Sequence, residues 1–488
     1  MIGAEPSYER LSAQDRSFLV FEDQHAHMHL GGLAIFEAGT LATPEGGVAI
    51  ERIRAHIAAC LHVVPRYRQR LAMVPVTGQA VWVDDHQFNL DYHVRHAAVP
   101  RPGGDDELRN LVSRIVSQQL DRGKPLWELW IIEGLAGGRF AVVVKSHHAM
   151  ADGISAFAFF ATLLRLVPET HVDTPRPWAP RPVPTAWTLL RDEVVRQVGA
   201  PVEAVGSLLG QVRNTTALVR QLAEGMASVL DFVTSGLRRP AATPLNRTIG
   251  PHRRFDWHRF RMADVQAVRE RLGGTINDVV LATVAGGIGR FLEDRGRDPR
   301  QGEFRVVVPV NVRTEDERGR VNNRASGWLA TLPVGESNVR KRYAAVRRTT
   351  RWLKETRQER AAELLGRAAE FAVPGTLSLA VRLVSFLAPY NLIVTNVPGP
   401  DVPLYLLGAR MVAAFPLVPL FEQQGLGVAI LSYDDSLCFG FNADWDLVPD
   451  VEELSEAMGD AFAELHATAV QGALRVRRAS RPDPTDAA

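Results

Sequence analysis

Residues 139–157, "RFAVVVKSHHAMADGISAF", decide how this chain folds around its most reactive side chains. The run 139–146 is rich in β-branched residues and too short for a helix, so it predicts a buried strand. Residues 154–167 are apolar on nearly every side, which predicts a buried helix. His147 and His148 therefore lie in the turn between two rigid, buried elements.

This turn has the composition of a general-base site. A histidine with a pKa near neutrality can take a proton from a hydroxyl as that oxygen attacks a carbonyl group. In this interpretation His148 is the base and Asp152 is a structural anchor. Gly153 permits a tight turn into the helix that follows.

Two other interpretations of the histidine pair stay open on the pattern alone. A metal site is disfavoured, because adjacent side chains of an extended segment point to opposite faces. The sequence also has no HExxH motif and no second histidine and aspartate cluster to complete a ligand set. A purely structural turn that happens to contain histidines fits the same spacing.

The composition limits the class of protein. The 488 residues are 46% hydrophobic and 23% charged, enough for a large core and about two to four domains. A net charge of +1 gives the whole chain no attraction to nucleic acid or to an acidic surface. Cys60 and Cys438 are far apart, which argues against a disulfide framework and fits a reducing compartment.

The sequence predicts a cytoplasmic location. The N-terminus lacks the basic region and apolar run of a secretory signal. No uncharged apolar stretch reaches the roughly 18 residues of a membrane-spanning helix. We therefore expect a soluble protein, or one attached to the periphery of the inner membrane or of lipid inclusions.

A change in composition after Val167 marks a boundary. Residues 168–184 are rich in proline and predict a semi-rigid connector. Residues 185–237 are amphipathic and helical in pattern, with Trp187, Leu189, Leu190 and Val194 among their apolar residues. This segment fits a crossover between two lobes, which we favour, or a helix that rests on a membrane or lipid droplet.

Strand and helix patterns occur on both sides of this connector. The predicted division is an N-terminal lobe at 1–167, a connector and crossover at 168–240, a C-terminal lobe at 241–472 and a disordered tail at 473–488. The predicted strands are 28–37, 79–85, 255–262 and 303–313, with a hairpin at 426–444 that turns near Asp434-Asp435; the predicted helices are 45–64, 106–121, 263–272, 276–296 and 450–470.

Motifs of several competing chemistries are missing from the sequence. It has no GxSxG elbow, no Walker A sequence and no complete dinucleotide-binding fingerprint. Without a nucleophile motif, direct transfer assisted by a general base is simpler than a covalent acyl-enzyme.

The segment "HHAMADG" (147–153) matches the HHxxxDG motif of the CoA-dependent acyltransferase superfamily, and other segments narrow the resemblance. Over about residues 11 to 470, and in the same order, the chain resembles bacterial wax ester synthase/diacylglycerol acyltransferases. Asn322 stands where glycine is expected, and Thr395 where serine is usual. The segments that carry the resemblance are "LSAQDRSFLVFEDQHAHMHLGGLAIFE" (11–37), "PLWELWIIEGL" (125–135), "TPLNRTIGPHRRF" (243–255), "GGTINDVVLATVAGGIGRFL" (273–292), "VVVPVNVR" (306–313), "NNRASGWLATLP" (322–333) and "IVTNVPGP" (393–400).

The resemblance implies an α/β fold of two chloramphenicol-acetyltransferase-like lobes with a tunnel between them. Acyl-CoA, the co-substrate, would meet diacylglycerol or a long-chain alcohol beside His148, with no metal and no bound cofactor. His148 would deprotonate the acceptor hydroxyl, while His147, Asp152 and Gly153 would hold the geometry of the motif. A thioester is already activated, so a base and correct positioning suffice.

Two further segments have both functional and structural interpretations. Asn277-Asp278 matches the family's ND motif and would support the site, with Asn277 stabilising developing charge on oxygen, but helix capping explains the pair equally well. The basic run 339–354 would meet the phosphates of CoA or form a solvated helix face.

Two alternative functions keep the same fold. One is acyl transfer or condensation from a carrier protein onto a specialised metabolite. The other is a non-catalytic relative that binds lipid, against which the intact HHxxxDG motif argues. The acyl chain length, the preferred alcohol, the residues that contact CoA and the oligomeric state are not encoded in any pattern described above.

Overall fold

The structure, a computed structural model, describes residues 7–150, 159–196, 240–311, 325–356 and 390–479. The strands are β1 Tyr8–Arg10, β2 His29–Glu37, β3 Gln69–Met73, β4 Ala80–Asp84, β5 Val94–Ala98, β6 Trp127–Leu135, β7 Arg139–His147, β8 Arg253–Arg261, β9 Phe304–Asn311, β10 Ala325–Leu332, β11 Leu392–Val397, β12 Tyr405–Leu406, β13 Ala409–Leu417, β14 Leu426–Tyr433 and β15 Ser436–Asp444. The α-helices are α1 Ala13–Phe21, α2 Ile50–Cys60, α3 Leu90–His93, α4 Asp105–Ser117, α5 Met262–Leu272, α6 Ile276–Asp294, α7 Val339–Thr356 and α8 Val451–Ala479, and residues 159–162 and 186–196 are also helical.

The first six-stranded sheet carries the histidine motif at the end of one strand. Its order is β12-β13-β2-β7-β6-β5, and β2 pairs antiparallel with β7 from Glu37↔Arg139 to His29↔His147. Apolar clusters cover both faces of this sheet, one with α2 and residues 159–164 and the other with α4. A strand buried on both faces needs a continuous apolar run, which is why 139–146 shows no alternation.

The second six-stranded sheet has the order β10-β9-β11-β14-β15-β8. Helices α5, α6, α7 and α8 supply most of the helical residues of the core cluster on it. Helix α6 approaches α8 closely, because a Cβ on Gly287 would lie 2.4 Å from the Met458 sulfur. Glycine at this position therefore sets how tightly the two helices pack.

A small third sheet, β1-β4-β3, supports helix 186–196. Leu189 packs against Val81 and Val83 of that sheet, and Tyr8 Oη donates to Asp192 Oδ2 at 3.0 Å. On the same helix Trp187 is 71% exposed. The helix thus has one apolar stripe that packs inward and another that faces outward.

Most of the predicted strands and helices are confirmed. The hairpin forms from β14 and β15, and Asp434 at its turn has a φ of +49°, a conformation that aspartate tolerates better than most residues. The strand predicted at 139–146 is β7 and runs one residue further, to His147. Residues 168–184 contain no helix or strand, as the connector prediction requires.

Two predicted elements are wrong in their bounds. The helix predicted at 154–167 ends at residue 162 within the described residues, because Arg165 exchanges two 2.8 Å backbone hydrogen bonds with Tyr405 instead. The disordered tail predicted from 473 begins inside α8, which continues to Ala479. The basic residues of that last stretch favour the C-terminal end of a helix.

One strand pairing joins the two predicted lobes. Strands β12 and β13 lie within the predicted C-terminal lobe, yet β13 pairs with β2 of the first sheet from Met411↔Phe36 to Leu417↔Gly31. A segment late in the chain thus completes the sheet that carries the histidines. The domain bounds themselves stay a prediction.

In the part of the chain that the structure describes, no single helix is long and apolar enough to cross a membrane. Helices α5 and α6 reach that length and composition only as a pair, and they are bent by 99°.

Candidate active site

The histidine pair lies where β7 leaves the sheet. His147 is the last residue of β7 and stands opposite His29 of β2. The His148 N–H donates to the Met28 carbonyl at 2.8 Å, so one more backbone bond holds His148 against β2. Met150 N–H then donates to the His147 carbonyl at 2.9 Å and starts the turn.

His147 is fully buried and oriented by both of its ring nitrogens. Its Nδ1 accepts a hydrogen bond from the Ala149 N–H at 2.9 Å. In the neutral ring the proton therefore lies on Nε2, which is 3.4 Å from Glu22 Oε2. This arrangement fixes the ring and leaves neither nitrogen directed to solvent, so His147 is a positioning residue.

Glu22 is the buried anion of the site. It follows α1, and its side chain is 1% exposed. Arg122 Nε donates to Glu22 Oε2 at 2.7 Å, and a second Arg122 nitrogen lies 2.6 Å from the same oxygen. Burial alone would raise the pKa of Glu22, but His147 and Arg122 outweigh it and lower that pKa to about 2.

His29 completes this buried group in a neutral state. Its Nε2 lies 3.9 Å from Glu22 Oε1 and accepts a hydrogen bond from Leu120 N–H at 3.4 Å. Burial, followed by the positive charge of Lys145, holds the pKa of His29 well below its ordinary value. Among the described residues, Arg122 is the permanently charged partner that holds Glu22 in place.

His148 occupies a different environment from its neighbour. It is half-buried, and its ring stacks on Phe18 of α1 with 3.6 Å between centroids and 16° between planes. Phe18 lies 6.4 Å from Phe21, which in turn meets Phe421 edge-on at 5.5 Å. Helix α1 and a loop late in the chain thus place an apolar aromatic group beside the partly accessible histidine.

Lys145 ties β7 to the end of α4. Its side chain is fully buried, and its ammonium donates to the carbonyls of Ile115 at 3.1 Å and Gln118 at 2.9 Å. It also lies 3.1 Å from Glu128 on the neighbouring strand β6. Burial lowers the pKa of Lys145 although Glu128 acts to raise it. These contacts fix the strand two residues before the histidines.

Asp152 and Gly153 lie outside the described residues. Their assignment as the anchor and the turn glycine of the motif therefore stays a prediction.

Asp278, proposed from sequence to support the site, is the N3 residue of a capping box at the start of α6. Its Oδ2 accepts from the backbone N–H of Thr275 at 2.7 Å and from the Thr275 hydroxyl at 2.9 Å. Its Oδ1 accepts from Thr350 of α7 at 2.5 Å. These contacts give Asp278 a structural role, whereas the neighbouring Asn277 is half-buried and keeps its predicted supporting role as a proposal.

The basic run 339–354 forms most of α7, and only part of it faces solvent. Arg342 is buried and lies 3.4 Å from Glu464, and Arg347 donates to the Leu272 carbonyl at 2.6 Å. Arg348 and Arg351 are exposed. Arg342 and the half-buried Arg347 thus make structural contacts, and a contact of the exposed arginines with CoA phosphates stays a proposal.

Within the described ranges, no group of three or more histidine, cysteine, aspartate or glutamate side chains is arranged to hold a metal ion.

Sequence reasoning missed Phe18, Glu22 and Arg122, which support the two histidines. The first two lie in the segment 11–37 and the third precedes the segment 125–135, both quoted for the resemblance. The available signal was the acidic pair Glu22-Asp23 directly after an apolar helical run, a position where burial of a charge is costly unless the charge is paired.

The arrangement can perform acid–base chemistry on a bound hydroxyl. It offers one fixed, buried histidine, one partly accessible histidine beside it, and an apolar aromatic wall that limits water.

Comparisons with known proteins match most of the chain. The model described as "Wax ester synthase/diacylglycerol acyltransferase catalytic domain" matches residues 11–280, and the "WS/DGAT C-terminal domain" model matches residues 321–466. The Mycobacterium tuberculosis (H37Rv) protein named "Probable diacyglycerol O-acyltransferase tgs1" is 34% identical over 474 residues, which cover 96% of this chain and 98% of that protein.

Solved structures share the fold. The wax ester synthase/diacylglycerol acyltransferase from Marinobacter aquaeolei VT8 has a TM-score of 0.70 at 25% identity, covering 94% of this chain and 99% of that one. The first condensation domain of the CDA synthetase has a TM-score of 0.55 at 16% identity, covering 96% and 97%. The second likeness concerns the fold alone, and the two together confirm the predicted class of α/β fold.

Proposed function

This chain belongs to the wax ester synthase/diacylglycerol acyltransferase family, and we propose that it transfers a long-chain acyl group from acyl-CoA to diacylglycerol, forming triacylglycerol. Long-chain alcohols are the second class of acceptor and give wax esters. The observation that supports this function most directly is the position of His148, which is partly accessible and held next to a buried, oriented His147.

The chemistry needs one base and two bound substrates. His148 takes the proton of the acceptor hydroxyl as its oxygen attacks the thioester carbonyl, which forms a tetrahedral intermediate. The carbon–sulfur bond then breaks, the ester is released, and the leaving thiolate takes the proton from the His148 imidazolium. His147 and Asp152 hold the base, and Asn277 stabilises the negative charge on the carbonyl oxygen.

Release of CoA, followed by identification of the ester, tests this function. Palmitoyl-CoA is offered with diolein, with hexadecanol and with no acceptor, and the same acyl group is offered on an acyl-carrier protein. We expect CoA release that depends on diolein or hexadecanol, with triacylglycerol or wax ester as product. Transfer only from the carrier protein would establish the condensation alternative, and lipid binding without CoA release would establish a non-catalytic relative.

We also propose that the enzyme works in the cytoplasm on acceptor held at the inner membrane or at lipid inclusions. Diacylglycerol resides in such apolar phases, and the outward stripe of helix 186–196 offers apolar residues to them. Trp187 is 71% exposed, and Val194 and Val195 are 53% and 65% exposed. Co-sedimentation with diolein-containing vesicles should weaken for Trp187→Ala and should not change for His171→Ala, whose side chain is 80% exposed in the connector.

A further inference from the structure

A small apolar pocket lies against the first sheet, over the middle of the neighbouring strands β13, β2 and β7. Apolar residues alone line it: Gly31, Gly32, Leu33, Ala34, Val144, Phe160, Ala414 and Phe415. Such a lining has nothing to offer a polar group, and it suits an alkyl chain.

The pocket exists because three neighbouring strand positions carry small residues. On β2, the face that meets the first core cluster carries Leu30, Gly32, Ala34 and Phe36. Ala34 stands opposite Ala414 of β13, so two methyl groups meet where larger side chains would fill the space. Gly32 tolerates no side chain, since its Cβ would lie 2.5 Å from the Phe415 carbonyl oxygen.

Phe160 lines the pocket and belongs to a group of aromatic rings at one end of this face. Phe36 stacks on Phe140 with 5.1 Å between centroids, and Phe160 lies 6.4 Å from Phe36. All three rings are buried in the first core cluster. A chain that entered the pocket from the other end would meet this aromatic group and stop.

The other end of the same face points to the catalytic motif. Val144 and His148 are four residues apart on one strand and its continuation, so both lie on one face, about 13 Å from each other. The contact of His148 with Phe18 agrees with this, because Phe18 and Val144 belong to the same apolar cluster.

We propose that this pocket, about 20 Å³ in volume, receives the methyl end of the acyl chain and that Ala34 and Ala414 set the longest chain accepted. The inference rests on the proposed function, because it takes the acyl thioester to lie at His148. A long chain must extend about 13 Å from the thioester to reach the pocket, and a short chain ends before it. Substitution of either alanine would then change the turnover of long-chain acyl-CoA donors and not that of short-chain donors.

Substitution of Ala414 by valine or leucine tests the proposal. The measured quantity is the ratio of kcat/KM for palmitoyl-CoA to that for octanoyl-CoA, with diolein as acceptor. Each methylene excluded from the pocket lowers kcat/KM for the long donor by about fourfold. We therefore expect Ala414→Val to lower the ratio several-fold and Ala414→Leu to lower it on the order of tenfold or more. Ala34→Val should act in the same direction from the facing strand.

The neighbouring residue provides a matched control. Ala413 is 4% exposed, close to the 5% of Ala414, but it faces the apolar cluster on the opposite side of the sheet. Ala413→Val therefore imposes a comparable overpacking without entering the pocket. Because the ratio compares two donors on one protein sample, partial unfolding of a variant does not change it.

The outcomes separate this inference from the proposed function. A ratio that falls in Ala414→Val and not in Ala413→Val supports the pocket. A ratio that stays constant in all Ala34 and Ala414 variants, or that falls equally in Ala413→Val, overturns it while leaving the acyltransferase in place. Failure of the unsubstituted protein to release CoA from either donor would overturn the function itself.

Discussion

Replacement of Glu22 by glutamine removes the charge that holds His147 and keeps nearly the same shape. The pKa of Glu22 falls from 4.5 to about 2 on folding, which corresponds to about 3 kcal/mol of stabilisation of the charged form. The side chain is 1% exposed, so solvent screening reduces this figure little. Loss of one partner of a buried pair costs about 3–5 kcal/mol in other proteins, the same order.

The expected effects of Glu22→Gln concern both stability and rate. We expect the free energy of unfolding in urea at pH 7 to fall by about 3 kcal/mol. We also expect kcat to fall on the order of 100-fold with little change in KM, because His147, which accepts from the Ala149 N–H, would no longer hold the turn that positions His148. Glu51 is the matched control: it pairs with Arg54 at 2.7 Å but is 77% exposed, so Glu51→Gln should change stability by less than about 1 kcal/mol.

The same contact gives the protein a defined sensitivity to acid. Because folding lowers the pKa of Glu22, its stabilisation is complete above pH 4.5 and is lost as the pH falls toward 2. The difference in the free energy of unfolding between Glu22→Gln and the unsubstituted protein should therefore shrink as the pH falls from 4.5 toward 2. A variant with unchanged unfolding, unchanged kcat and the same acid profile would refute the role given to this carboxylate.

Two further substitutions separate structural support from catalysis. Asp278→Asn should lower the free energy of unfolding by about 1–2 kcal/mol, because the capping box with Thr275 is lost. We expect little change in kcat below the melting temperature. A large loss of kcat in a stable protein would contradict this. Lys145→Met leaves the carbonyls at the end of α4 without their cation and leaves Glu128 with Arg95 alone. Urea unfolding should show a loss of about 3 kcal/mol, and unchanged unfolding would show that the buried lysine contributes nothing.

The sequence predicted the local frame of the site because short-range patterns encode it. The β-branched run before His147 predicted β7, and the two acidic residues at 434 and 435 predicted the turn of the hairpin. The order of the quoted segments predicted the family, which the comparisons confirm. These features depend on neighbours within a few residues, or on resemblance over the whole chain.

Contacts between distant residues could not be predicted in the same way. Glu22 and Arg122 are 100 positions apart, and no periodicity relates them. The pairing of β13 with β2 joins residues that are almost 400 positions apart, and no local pattern predicts such a pairing. The helix predicted to reach 167 stops at 162, because Tyr405 supplies a strand partner to Arg165. In each case a contact between distant residues, and not local propensity, determined the structure.

The most direct test of the account is turnover by His148→Ala, with palmitoyl-CoA and diolein as substrates and both CoA and triacylglycerol measured. The account predicts that product formation falls to the level without enzyme, while circular dichroism and urea unfolding stay close to those of the unsubstituted protein. His171→Ala, which changes an exposed histidine, should keep full activity. Undiminished triacylglycerol formation by a folded His148→Ala protein would contradict the central claim that this histidine is the general base.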